Sequence, residues 1–113
     1  MNQQLEISFE NCLAADANQL AQTLEDEIRE TNSSVTLSLK KDRLDAQDFG
    51  TTLVLIFGTP VAIALANAVT TFLQRHSGAT IRITKSGEVI ARNLDSRDAS
   101  RIAEAFAAGK KSA

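Results

Sequence analysis

Hydrophobic and polar positions alternate at both ends of the chain and change period between. In LEISFE, Leu5, Ile7 and Phe9 fall on one side and Glu6, Ser8 and Glu10 on the other. That period of two predicts a half-buried strand. In ADANQLAQTLEDEIRETN, Ala17, Leu20, Ala21, Leu24 and Ile28 recur at helical spacing, with Asp16 as an N-cap and Glu25, Asp26, Arg29 and Glu30 outside. SVTLSLK returns to period two, with Val35, Leu37 and Leu39 inward. The charged run KKDRLDAQD reads as a loop or a helix start. Further on, ATIRITKSGEVIARNL predicts a hairpin turning at Ser86-Gly87, with Ile81, Ile83, Val89 and Ala91 inward. Asp95 or Ser96 then caps a last helix carrying Ala99, Ile102, Ala103 and Phe106 on one stripe, and Gly109 ends it.

Between these elements lies TTLVLIFGTPVAIALANAVTTFL, residues 51–73, which has 23 residues and no charge. As one helix it would reach about 34 Å at ~1.5 Å per residue, enough to cross a bilayer. Its polar residues argue otherwise, as does Pro60, which suits the first position of a new helix behind Thr59. The expectation is a helix to Phe57, a break at Gly58-Pro60, and a second helix to about His76. A buried strand over LVLIF is the alternative. The second helix has a large-residue side, Val61, Leu65, Val69, Phe72 and Leu73, and a small or polar side, Ala64, Asn67, Ala68, Thr70 and Thr71. A helix packed on a sheet has reason to be sided in this way. A membrane span would also divide the predicted strands into two pieces, each too small to fold alone.

The resulting fold class is α+β: a four-stranded sheet with helices mainly on one face, in the order β-α-β-α-β-β-α. One domain over residues 1–109 and a flexible tail over 110–113 are expected. The length of 113 residues agrees.

Composition narrows function more by exclusion. Net charge is −2, and there is no Trp and no Tyr. Neither a nucleic-acid partner nor an aromatic membrane belt is expected. Cys12 is the only cysteine, so no intrachain disulfide can form and a reducing cytoplasm is the simplest setting. The N-terminus has no basic and apolar leader pattern.

Candidate chemistry is sparse. One His and one Cys cannot build a zinc site. His76 lies at a helix end, and Cys12, in NCLAA, reads as a buried inert thiol. Asp42, Asp45 and Asp48 recur every three residues but lack the pattern of a calcium loop, so capping explains them. FGTP has neither a phosphate-binding Lys nor a GxGxxG pattern. No catalytic, cofactor-binding or metal residue is assigned. The protein reads as a non-enzyme without cofactors. The polar face of the sheet is expected to carry Ser38, Lys40, Thr80, Arg82, Thr84 and Arg92 beside Glu6, Ser8 and Glu10.

From DFGTTLVLIFGTPVAIALANAVTTFLQRHSG through ATIRITKSGEVIARN to the final helix, residues 48–106, the chain resembles the small effector-associated constant component domains of bacterial conflict systems. Shared traits are a Gly-interrupted, Ala-rich apolar helix ending in Thr70-Thr71-Phe72-Leu73-Gln74-Arg75, a following hairpin and a short last helix. The family usually has a bulkier aromatic near Phe72 and a more Gly-rich break near Gly58. The resemblance implies an accessory, non-enzymatic protein of a defence system. Its partner would be an effector, protease or NTPase encoded nearby. It carries over no catalytic residue.

As a helix, Leu53–Phe57 would point apolar side chains in more directions than one sheet covers. A homo-oligomer is therefore expected, with Leu53, Ile56, Phe57, Ala62 and Ala66 at interaction surfaces and Arg82 and Arg92 on the polar face. Small residues four apart, as in Ala62 and Ala66, let helices approach closely. The alternative function is a membrane-perturbing effector that releases residues 51–73 on activation.

Overall fold

The computed structural model describes residues 2–10, 12–32, 35–41 and 51–107. Its elements are β1 (Asn2–Glu10), α1 (Ala14–Thr31), β2 (Thr36–Lys41), β3 (Thr51–Gly58), a 3-10 turn (Thr59–Val61), α2 (Ala62–Arg75), β4 (Thr80–Lys85), β5 (Glu88–Leu94) and α3 (Ala99–Ala107). The strands form one sheet in the order β2-β3-β1-β4-β5, with every neighbouring pair antiparallel. The class is α+β, as expected. The strand count is five rather than four, and the element order is β-α-β-β-α-β-β-α.

The difference lies at residues 51–58. The expected first helix is β3, which pairs with β2 on one side and β1 on the other. Thr, Val, Ile and Phe suit a strand. Leu53, Leu55 and Phe57 share a face with Leu5 and Ile7 of β1 and enter the core, while Thr52, Val54 and Ile56 occupy the other face. The five consecutive apolar residues that no helix could hide are divided between two faces of a strand. The surplus of apolar surface that motivated self-association through this segment therefore vanishes. Pro60 does lie in a helical turn, but that turn begins at Thr59 rather than being capped by it, with Gly58 in extended conformation ahead of it, and the α-helix proper begins at Ala62.

All three helices serve the inner face. Ala17, Ala21, Leu24 and Ile28 of α1 are buried in the shared core, with Leu20 partly so. The helix begins at Ala14, so Asp16 lies in its first turn and does not cap it. From α2 come Leu65, Val69, Phe72 and Leu73, and from α3 Ile102 and Phe106. Phe9 and Phe72 meet at 5.9 Å between ring centroids, and Phe57 and Phe106 at 5.7 Å, tying sheet to helices. The helix α2 also lies against α3. Buried small residues on both, Ala62, Ala66 and Ala105, leave room for that approach. The alanines expected to receive another chain are thus used within this one.

The hairpin turns where expected. Ser86 and Gly87 take φ of 53° and 82°, and Lys85 pairs with Glu88 across the two-residue turn. Positive φ at both positions matches the right-handed twist of the flanking strands. Beyond it, β5 departs from simple alternation. Its register slips twice against β4, so Val89 lies opposite Thr84 and is exposed, whereas Ala91 lies opposite Ile83. The expected inward Val89 is corrected by this bulge around Ile90. Asp95 starts the approach to α3 by accepting from the Arg97 N–H at 2.9 Å, while the Asp98 carboxylate accepts from the Asp95 N–H at 2.9 Å. Together with the Asp98 N–H donating to the Asp95 carbonyl at 3.0 Å, these bonds close a turn over residues 95–98, and α3 begins only at Ala99, so neither Asp95 nor Ser96 is its N-cap as expected. The hydrogen bonds from Arg97 hold the Asp95 carboxyl below its ordinary pKa.

Candidate functional site

Two surfaces stand out: the sheet face opposite the helices, and a cleft at one end of α1.

On the sheet face, alternation places Gln4, Glu6 and Ser8 from β1 beside Ile56, Val54 and Thr52 from β3. Thr36, Ser38 and Lys40 from β2 flank β3 on its other side, and Thr84 and Arg82 of β4 flank β1. The composition is dominated by hydroxyls. At its centre Ser8 and Thr52 share a hydrogen bond of 3.1 Å and are both buried. Lys40 donates to Glu6 at 3.3 Å. Lys40 lies opposite Thr52, and Glu6 lies beyond β3 on β1. The lysine stem therefore crosses the outer surface of β3, which helps to hide Thr52 and Val54. The charge is turned in across the sheet. No described helix covers this face, and Ile56 remains half-exposed on it.

The cleft has a volume of about 480 Å³. Phe9, Leu20 and Ala79 provide apolar lining, while Glu10, Asp16, Gln19, Thr23, Ser77 and Thr80 provide polar groups. Cys12 and His76 also line it. Cys12 is exposed, not buried as its apolar sequence context suggested. Partial burial raises its thiol pKa above the ordinary 9.0, and the Asp16 carboxylate adds to the rise. At neutral pH the group is thus a thiol and a weak nucleophile. His76 follows α2, half-buried and stacked on Phe72 at 4.3 Å. Among the described residues no hydrogen bond links Cys12, Asp16 and His76. No group of three or more His, Cys, Asp or Glu residues among them could hold a metal. The Asp42, Asp45 and Asp48 series lies outside the described residues, as does the tail 110–113.

The expected interaction residues separate sharply. Leu53, Phe57, Ala62 and Ala66 are buried in the core and offer no surface. Ile56 and Arg82 lie on the outer sheet face, both partly exposed, and Arg92 is exposed on β5. The residues missed are Thr52 and Val54, hidden while the segment was read as a helix. The cleft was missed as well, because nothing local in the sequence announces that Cys12 and His76 line one cleft.

No described helix is long and apolar enough to cross a membrane. Residues 51–73 are divided between a strand held on both sides and a helix packed in the core. The Gly-interrupted apolar helix that contributes to the family resemblance is a strand ahead of its break, over Thr51–Gly58. Comparison of the chain with protein-family models, with curated proteins and with solved structures gives no match.

Proposed function

We propose that this protein is a non-enzymatic interaction module whose outer sheet face receives a protein partner. One observation carries the reading. That face is broad and rich in hydroxyls, with Ile56 half-exposed on it and Lys40 neutralised against Glu6. Surfaces of this kind suit protein contact, where charge is depleted from the interface centre. They suit nucleic acid poorly, since Phe9, Phe57, Phe72 and Phe106 are all in the core and cannot stack on bases. The resemblance to effector-associated constant components supports an accessory role in a bacterial defence system, beside an effector, protease or NTPase encoded nearby. Cys12, an exposed free thiol, favours a reducing cytoplasm.

The membrane-perturbing alternative would require β3 to leave both of its neighbours and expose Leu53, Leu55 and Phe57, all fully buried. Its energetic cost weighs against it.

The test is NMR shift mapping of the labelled protein titrated with the products of adjacent genes. Perturbations should gather at Thr36, Ser38, Ile56 and Thr84, and Ile56→Lys should abolish them without unfolding the chain. Shifts gathering at Cys12, Gln19 and His76 would move the function to the cleft and contradict the reading.

A further inference from the structure

The two edges of the sheet differ in kind. Along β5 the register slips twice and Asn93 adopts a positive φ of 55°, so the strand is bent away from regular pairing. Bulges of this sort protect an edge. Along β2 the register runs unbroken from Thr36 opposite Ile56 to Lys41 opposite Thr51. Among the described residues nothing pairs with its outer side. Edge strands are commonly guarded by a lysine standing into solvent. Here Lys40 instead reaches across the sheet to pair with Glu6 at 3.3 Å.

We propose that β2 is the pairing edge for a second copy of this chain, joined antiparallel about Ser38 to make one sheet across the dimer. The occupant follows from self-complementarity. Centred on Ser38, the strand places Thr36 opposite the partner's Lys40 and Leu37 opposite the partner's Leu39. Each pair lies on a single face, as pleating demands. No like charges meet. Leu37 and Leu39 are only partly buried in the monomer, and pairing extends the apolar layer they begin. A register shifted by one residue would put inward leucines opposite outward polar residues. A centre at Leu37 would leave less of the described strand paired.

The helix above this edge is compatible. Asn18, Gln22, Glu25 and Arg29 lie at helical spacing on one side of α1, and Asn18 accepts from the hydroxyl of Thr51, the β3 residue paired with Lys41 of β2. Glu27, Glu30 and Thr31 face the opposite way, toward α2. On the side facing a second copy, Glu25 and Arg29 neutralise each other at 2.7 Å. The proposal is independent of the outer-face docking reading, because it uses a strand edge.

Light scattering over a concentration series tests it, with circular dichroism confirming that each variant folds. Wild type should rise from monomer to dimer mass. Ser38→Glu and Ser38→Lys, each placing like charges directly opposite, should weaken self-association by about tenfold or more. An equimolar mixture of the two should restore the dimer, since Glu then faces Lys. Thr36→Glu should retain or strengthen it by facing Lys40. A wild type that stays monomeric throughout would overturn the proposal. So would Ser38 variants that remain dimeric, or a mixture that fails to recover.

Discussion

The inner and outer faces of the sheet are made from alternate residues of the same strands, yet they are held by different physics. On the inner face Leu5, Ile7, Phe9, Leu53, Leu55 and Phe57 meet three helices and lose nearly all contact with water. On the outer face Ser8 and Thr52 are also buried, but they are kept by a hydroxyl pair and by a lysine stem lying across the sheet. Apolar burial is the larger source of stability. The polar arrangement contributes less. β3 belongs fully to both faces, so adjacent residues of one strand can be compared directly.

Leu55→Ala should have the largest effect. Its side chain is fully enclosed, and the cavity left behind should cost about 2–5 kcal/mol in chemical denaturation. A loss near zero would mean that the inner face is not the core. Thr52→Val comes next. It preserves volume but strands the Ser8 hydroxyl, at about 1–2 kcal/mol. Adding Ser8→Ala should recover part of that loss, because the two hydroxyls are coupled. Full additivity would show that their bond contributes nothing. Lys40→Ala should be smallest, within about 1 kcal/mol and weaker still at high salt, since the ion pair with Glu6 is substantially exposed. A change as large as that at Leu55 would erase the distinction between the faces.

The same distinction explains what could be read from the residues alone. β1, α1, β4 and α3 each bury one side, and their periodicity shows it: Leu5, Ile7, Phe9, Leu24, Ile28, Ile81, Ile83, Ile102 and Phe106 are all in the core as expected. β3 buries both sides. Its alternation is therefore erased into a continuous apolar run, and periodicity alone cannot separate such a run from a buried helix. The surplus of apolar directions around Leu53–Phe57 was itself the sign that the period was wrong. Val89 was misplaced for another reason. A bulge changes the phase of alternation without marking the sequence, beyond the αL-tolerant Asn93 nearby. The outer-face residues Ser8, Ser38, Lys40, Arg82 and Thr84 were legible from strand alternation. Their ion pair and hydroxyl bond depend on which strands are neighbours, and strand order is not encoded in any local pattern. The cleft joining Cys12 to His76 is hidden for the same reason.

Residues 51–58 form an interior strand, paired on both sides. Amide hydrogen exchange across β3 tests this most directly, measured with and without anionic lipid vesicles. Amides from Leu53 to Phe57 should exchange only through global unfolding, at the slowest rates in the protein, and vesicles should leave them unchanged. Rapid exchange at these amides, or protection lost when vesicles are added, would contradict the interior strand and favour a segment that leaves the core.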